Sequence, residues 1–217
     1  PMVIRVPCGG YIHGGLCHSQ NIESIFGHTP GLKVALPSTA ADAKGLLATA
    51  IRSEDPVLFL EHKALYRAAS ARTPTPPEHY TLPFGEARIA RKGSDLTIVT
   101  YGMMTHKALN AAKELEEEGV DAEVVDLRTI VPLDTETILG SVRKTNRALV
   151  VYEDHEFIGF GAEICAQIGD DAFKYLDAHI RRVAGEFTPI PFAHSLERSV
   201  LPSDEGVLKA ARDLVAF

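Results

Sequence analysis

The sequence predicts an α/β protein in which mostly parallel strands alternate with helices in two successive units. Short β-branched runs are followed repeatedly by longer segments whose apolar residues recur at helical spacing. The runs "PVLFLEH" and "LTIVTYG" are apolar nearly throughout, which is typical of parallel strands covered on both faces. A proline-rich stretch lies between the two series, so we expect two domains joined by a linker.

The first unit, residues 1–67, is predicted to contain three strands and two helices. Its second helix has the clearer signals, because Ser38 or Thr39 can cap it and Asp42 lies near its positive N-terminal end. The predicted strands are "MVIRVP", "LKVALP" and "PVLFLEH"; the predicted helices are "NIESIFGHTPG" and "STAADAKGLLATAIRSED".

Residues 68–83, "AASARTPTPPEHYTLP", contain four prolines and little apolar periodicity, which predicts the linker. The second unit, residues 84–217, again alternates strands and helices. After an edge strand, the predicted order is strand "LTIVTYG", helix "MMTHKALNAAKELEEEGV", strand "DAEVVDLRTIVP", helix "DTETILGSVRKT", strand "RALVVYEDH", helix "GFGAEICAQIGDDAFKYL", strand "IRRVAG" and helix "SDEGVLKAARDLVAF".

Charge and composition argue against several classes of function. The formal net charge of −7 argues against general binding to a nucleic-acid backbone. No apolar run is long enough to span a bilayer, and nothing resembles a signal peptide. Three cysteines give no even disulfide framework, so a reducing compartment is expected. Because the chain opens on the strand-like "PMVIRVP", we expect the fold to begin upstream of Pro1.

The glycine-rich stretch "GGYIHGGLCHSQN", residues 9–21, is the candidate functional segment of the first unit. Zinc is not favoured, because the cysteines and histidines of residues 8–18 lack the paired spacing of structural zinc sites. A Cys17–His18 nucleophile is not favoured either, because neighbouring side chains of an extended segment point to opposite faces. Cys17 is therefore interpreted as a packing residue.

A nucleotide loop is a weak interpretation of the same stretch, since it lacks the G-x-G-x-x-G spacing and a P-loop lysine. Its glycines more simply allow close approach of the backbone to a ligand. His18 then stands at the end of a loop that follows a strand, where sites form in βα architectures. From the residues alone, a structural role and an acid–base role for His18 both stay open.

Two stretches of the second unit are ambiguous. The glycines of "GFGAEI", residues 159–164, begin a predicted helix and fit either anion binding or close packing. The ionisable cluster "YEDHE", residues 152–156, is interpreted as a solvated, hydrogen-bonded edge.

The run "GGLCHSQNIESIFGHTPGLKVALPSTAADAKGLLATAIRSEDPVLFLEHKALYR" resembles the beta subunit of thiamine-diphosphate-dependent 2-oxo acid dehydrogenases almost end to end. "GSDLTIVTYGMMTHKAL", "VVDLRTIVPLD", "VVYEDH" and "GFGAEI" resemble the transketolase C-terminal domain of that subunit. The implied fold is the C-terminal part of a thiamine-diphosphate pyrimidine-binding domain followed by a transketolase C-terminal-type α/β domain. "LEHKALYRAA" and "RRVAGEFTPIPFA" are more similar to the branched-chain, 2-oxoisovalerate type than to the pyruvate type.

The resemblance implies oxidative decarboxylation of a 2-oxo acid, with acyl transfer to lipoyl groups. His18 matches the position that the family assigns to proton transfer or to stabilising reaction species in the active-site channel, and an imidazole suits that task. Alternatives are a pyruvate or acetoin dehydrogenase beta subunit, or a one-chain relative such as a transketolase. A non-catalytic assembly and docking fragment is a further alternative, since the family's cofactor-binding glutamate precedes the position of Pro1.

The resemblance also implies cofactors that this chain holds only in part. Thiamine diphosphate and magnesium would be bound mostly by the alpha subunit and by the segment upstream of Pro1. A structural potassium ion would lie at Ala50, Ile51, Ser53 and Asp55, largely on backbone carbonyls. The family often has aspartate at the position of Ser53 and asparagine at that of Asp55, and an ordinary helix end with a turn is the alternative.

The implied partners are the alpha subunit, a second beta subunit, and the lipoyl and subunit-binding domains of the dihydrolipoyl acyltransferase. The acidic balance of the chain would complement a basic docking module. The implied location is the bacterial cytoplasm or the mitochondrial matrix, and neither nucleic acid nor membrane is expected as a partner.

Overall fold

Two mostly parallel sheets organise the chain in the computed structural model, which describes residues 1–217. The spatial order of the first sheet is β1 (Met2–Cys8), β3 (Pro56–His62), β2 (Lys33–Ala35) and β7 (Thr129–Val131). The order of the second is β4 (Arg88–Arg91), β6 (Ala122–Asp126), β5 (Leu96–Thr100), β8 (Ala148–His155) and β9 (Arg181–Gly185). The predicted α/β class is confirmed.

The helices lie between the strands in the alternating order that the sequence predicts. They are α1 (Gly15–His18), α2 (Glu23–Gly27), α3 (Ala40–Arg52), α4 (Met103–Glu117), α5 (Thr135–Thr145), α6 (Gly161–Ala172), α7 (His194–Val200) and α8 (Asp204–Val215). Three short 3-10 helices, Lys63–Arg67, Ala69–Ala71 and Phe173–Tyr175, complete the set. No helix is both long enough and apolar enough to cross a lipid bilayer.

Side chains cap α3, α5 and α8 at positions where the sequence carries capping residues. Thr39 Oγ1 accepts the backbone N–H of Asp42 at the start of α3. Asp134 and Ser203 cap α5 and α8 in the same way. Each cap satisfies a backbone donor that the first helical turn leaves free, so these local signals determine where the helices begin.

The prediction of a single strand over "DAEVVDLRTIVP" was wrong. β6 ends at Asp126, and Arg128 takes a left-handed backbone conformation with φ of 61°. The chain then crosses to the first sheet, where β7 pairs antiparallel with β2. The second half of the chain therefore supplies an edge strand to the sheet formed by the first half.

The two sheets share an apolar core and a polar junction. The largest buried cluster includes Leu58 and Leu60 of the first sheet together with Val125 and Val150 of the second. At the junction, buried Asp126 accepts hydrogen bonds from Ser38 Oγ and Arg88, at 2.5 and 2.8 Å. A second pair joins Arg128 Nε to Asp42 Oδ1 at 3.0 Å. These contacts join the second sheet to the N-terminal end of α3.

Candidate functional site

The glycine-rich segment lies at the carboxyl ends of β1 and β3, whose last residues, Cys8 and His62, are register partners. The Gly9 N–H donates to the Gln20 carbonyl oxygen at 3.1 Å and closes the base of a loop. We call residues 9–20 the His18 loop. In parallel α/β sheets this edge is where ligands bind.

His18 is the last residue of the one-turn helix α1 rather than part of an extended loop. Its side chain is exposed and makes no hydrogen bond, while its carbonyl oxygen accepts from Lys63 Nζ. A free, exposed imidazole at this edge is able to exchange a proton with a ligand bound beside it.

Cys17 is exposed, so the interpretation of Cys17 as a packing residue was wrong. The premise of an extended segment was also wrong, but successive side chains of a helix do not face each other either. Cys17 and His18 share no hydrogen bond. Cys8 is buried in the core, and no group of three or more histidine, cysteine or acidic side chains is arranged to hold a metal ion.

Several backbone donors of the His18 loop are bonded within the protein. Gly10 N–H donates to Glu153 Oε1 at 2.6 Å, and His13 N–H donates to Glu197 Oε1 at 3.1 Å. Gly14 N–H donates to Ser19 Oγ at 3.2 Å. These three N–H groups are therefore not available to a phosphate, which binds to free backbone N–H groups.

The interpretation of residues 152–156 as a solvated edge was wrong for most of the cluster. Glu153 and Asp154 are only 6% and 8% exposed, and Tyr152 is fully buried. Burial alone would raise the pKa of Glu153, but the charge and hydrogen bond of His62 hold that pKa below its usual range. The two side chains meet at 2.7 Å between His62 Nε2 and Glu153 Oε2.

A second buried acid lies beside this pair. Glu23, in the first turn of α2, is fully buried and accepts a hydrogen bond from the Tyr101 hydroxyl at 3.0 Å. Burial, followed by the nearby charge of Asp154, raises the pKa of Glu23 to about 8. Its other carboxyl oxygen has no hydrogen-bond partner. No local pattern marks Glu23 as buried, because its helix carries acidic and apolar residues in the manner of a surface helix.

The four residues predicted to bind potassium span the end of α3 and the turn after it, where the Ala50 carbonyl oxygen accepts the Ser53 N–H at 3.1 Å. The ammonium group of Lys33 already contacts side-chain oxygens of this turn. Lys33 Nζ lies 2.8 Å from Asp55 Oδ2 and 3.3 Å from Ser53 Oγ. The side chains of this turn therefore do not fit a second cation, and a metal ion there would depend on backbone carbonyls.

The glycines of "GFGAEI" serve close packing. A Cβ atom on Gly161 would lie 2.0 Å from the Tyr152 ring, and one on Gly159 would lie 2.0 Å from the His155 carbonyl oxygen. The first N–H groups of α6 also have partners, since Ala162 N–H donates to Gly159 O at 3.0 Å. Of the two interpretations of this stretch, the packing one accounts for the contacts.

A cavity of about 640 Å³ lies between the N-terminal half of α3, the end of β3 and the 3-10 helices that follow β3. Its walls include Arg5, Phe59, Tyr66 and Arg72. His62 is the one member of the buried cluster described above that reaches it, and His18 does not line it. The cavity is thus a separate feature from the exposed imidazole.

Comparison with known proteins gives two family matches that together cover most of the chain. The transketolase pyrimidine binding domain matches residues 1–69, and the transketolase C-terminal domain matches residues 85–207. The predicted succession of these two domain types is confirmed.

Curated relatives match along the whole chain. It is 48% identical to the pyruvate dehydrogenase E1 component subunit beta of Bacillus subtilis and 45% identical to the 2-oxoisovalerate dehydrogenase subunit beta of the same organism. Each alignment covers 100% of this chain and 66% of the relative, so the chain spans just under two thirds of their length.

A solved structure described as a split gene transketolase, inactive beta4 tetramer, matches with a TM-score of 0.77 and 25% identity. That match covers 99% of this chain and 66% of the other. The sheet order, the two domain matches and these relatives agree: the chain belongs to the transketolase family of paired pyrimidine-binding and C-terminal domains, and it is similar throughout to 2-oxo acid dehydrogenase beta subunits.

Proposed function

We propose that the chain is part of the beta subunit of a 2-oxo acid dehydrogenase and contributes His18 to thiamine-dependent oxidative decarboxylation. The observation that carries the proposal is the exposed, unbonded imidazole at the carboxyl ends of β1 and β3. Identity of 48% and 45% to beta subunits that act in such enzymes supports it.

Thiamine diphosphate, when bound, would supply the electron sink for decarboxylation. The residues of this chain fit the proton-handling side of such a site, and the Gly10, His13 and Gly14 amides of the loop are already bonded within the protein. The diphosphate and its magnesium would be held by an alpha subunit. His18 would donate or accept a proton at whichever ring nitrogen faces the reacting group.

A branched-chain 2-oxo acid is the proposed substrate, on the similarity of "LEHKALYRAA" and "RRVAGEFTPIPFA" to the 2-oxoisovalerate type. The proposed partners are the alpha subunit, a second beta subunit and the lipoyl-bearing acyltransferase. Potassium at the Ala50–Asp55 turn would require backbone carbonyl ligands, and no step of the chemistry depends on it.

The test is turnover of the alpha–beta assembly with lipoyl acceptor, using pyruvate and 2-oxoisovalerate side by side. His18→Ala is expected to lower turnover by about 100-fold or more, the usual effect of removing an acid–base group. Sedimentation should show the assembly intact. His79→Ala, an exposed histidine of the proline-rich segment, is the matched control and should keep full activity.

Unchanged turnover in His18→Ala would disprove the catalytic role. The isolated 217-residue chain is expected to show no turnover with thiamine diphosphate, and activity there would contradict the proposal that the rest of the site comes from elsewhere. Faster turnover of pyruvate than of 2-oxoisovalerate would contradict the branched-chain assignment.

A further inference from the structure

The geometry points to Glu153 and Glu197, two buried acids of the second domain, as positioning residues that hold the His18 loop in its active shape. This inference rests on the proposed role of His18. Residues of the second domain would then set the geometry around His18, which belongs to the first domain.

The His18 loop needs such support because its backbone is strained. Tyr11 and His13 have φ of 62° and 57°, in the left-handed region that side chains disfavour. Gly9 and Gly15 have φ of 87° and 58°. Each non-glycine residue held there costs about 1–3 kcal/mol, so the conformation persists only where surrounding contacts over-determine it.

Glu153 anchors the beginning of the loop through both carboxylate oxygens. Oε1 accepts the Gly10 N–H at 2.6 Å, while Oε2 lies 2.7 Å from His62 Nε2. His62 in turn packs against Gly9, where a Cβ atom would lie 2.2 Å from the imidazole ring. One buried carboxylate thus joins the loop, the end of β3 and the end of β8.

Glu197 anchors the middle of the loop by one hydrogen bond, and its second oxygen lies close to the His13 ring without a hydrogen bond. It is 1% exposed on α7, its Oε1 accepts the His13 N–H at 3.1 Å, and its Oε2 lies 2.8 Å from His13 Nδ1. The His194 ring stacks on His13 with centroids 4.1 Å apart. His13 is therefore held at its backbone, its ring edge and its ring face.

The residue after His13, Gly14, packs against His18. A Cβ atom on Gly14 would lie 2.7 Å from the Cβ atom of His18, so the two backbones pack closely. Gly14 follows His13, and its N–H bond to Ser19 Oγ spans α1. Release of His13 would free this turn and let the imidazole of His18 leave its place.

The acids that form no contact with the loop provide a matched control. Glu123 is 2% exposed in the same domain, but its carboxylate binds Lys144 and the Gly93 N–H. Glu123→Gln changes a buried acid without touching residues 9–20.

The experiment compares Glu197→Ala, Glu197→Gln and Glu123→Gln in the chain and in the alpha–beta assembly. We expect Glu197→Ala to speed amide exchange at least tenfold in residues 9–20, with exchange in β5 and β8 unchanged. In the assembly kcat should fall at least tenfold with little change in KM. Glu197→Gln keeps an acceptor for the His13 N–H, so it should restore part of the slow amide exchange in residues 9–20 and part of kcat. Glu123→Gln should leave both the exchange of the loop and kcat unchanged.

A double variant separates positioning from general stability. If Glu197 acts through His18, adding Glu197→Ala to His18→Ala should lower turnover no further than His18→Ala alone. Losses that multiply, or exchange in residues 9–20 that stays slow, would overturn the inference. If His18→Ala itself has no effect, the proposed function fails, and the exchange of the loop still decides whether Glu197 holds it. Glu153→Ala, which removes the acceptor of the Gly10 N–H, repeats the exchange test should Glu197→Ala not fold.

Discussion

The Glu23 carboxyl is an acid whose chemistry is set by burial rather than by its sequence neighbours. It lies between the two sheets with one oxygen bonded to Tyr101 and the other without a partner. A charged carboxylate in such a place is costly, which is why its pKa rises to about 8. The neutral acid is therefore the form that the folded protein favours at pH 7.

This predicts an unusual pH dependence of stability. The folded state binds the Glu23 proton up to about pH 8, whereas the unfolded state releases it near 4.5, so the group lowers the free energy of unfolding as pH rises through that window. Glu23→Gln removes this pH-dependent loss of stability, because glutamine does not ionise. The variant should match the wild type near pH 4.5 and exceed it by up to a few kcal/mol at pH 8.5, measured by urea unfolding.

Exposed Glu54→Gln is the control and should show no such trend. A difference between Glu23→Gln and wild type that stays constant from pH 4.5 to 8.5 would contradict the prediction.

At the scale of elements, α6 packs against β8 through glycine. Gly161 opens the helix directly against the Tyr152 ring, which leaves no room for a side chain. Gly169, two turns further along the same helix, faces open space, and a Cβ atom added there would meet no atom within 4 Å. Of the two glycines, only Gly161 is required by packing, because a side chain at Gly169 would meet no neighbouring atom.

We expect alanine at the two positions to act in opposite directions. Gly161→Ala should lower the free energy of unfolding by about 1–3 kcal/mol or more, because the tyrosine ring must move. Gly169→Ala should raise it by about 0.5–1 kcal/mol, since alanine is the better helix former and meets no neighbour. Urea unfolding of both variants checks this, and destabilisation by Gly169→Ala would contradict it.

At the scale of the whole molecule, a buried polar junction ties the two sheets together. Asp126 is the last residue of β6 in the second sheet and accepts a hydrogen bond from the hydroxyl of Ser38, which precedes α3 in the first unit. Arg88 of the edge strand β4 completes the group. Truncation of Asp126 would leave the Ser38 hydroxyl without its buried acceptor and leave Arg88 with only a longer contact, 3.6 Å, to Asp42, which costs far more than loss of an exposed pair.

Asp126→Ala should therefore cost about 3–5 kcal/mol of unfolding free energy, the range for breaking a buried ion pair. Asp213→Ala, which removes the partially exposed pair with Arg181, is the matched control and should cost less than about 1 kcal/mol. Equal effects of the two substitutions in urea unfolding would show that the junction does not hold the sheets together.

The sequence alone predicted the α/β class, a cap at Ser38 or Thr39, and the alternation of helices and strands except for β7, α1 and α7. It also carries the caps at Asp134 and Ser203. These depend on periodicity and on side chains within one turn of the backbone they bond, so local pattern suffices. His18 was singled out as well, because its position after a strand and the resemblance of the surrounding motif are both local.

The crossing of β7 to the first sheet became visible only in the three-dimensional structure. The same holds for the burial of Glu153 and Glu197. Glu153 bonds Gly10, which lies 143 positions earlier in the chain, and Glu197 bonds His13, which lies 184 positions earlier. A run such as "YEDHE" has the same letters whether water or another domain covers it. Burial and long-range bonds exist only once the two sheets meet, which is why the support of the His18 loop could not be predicted from the pattern that revealed His18.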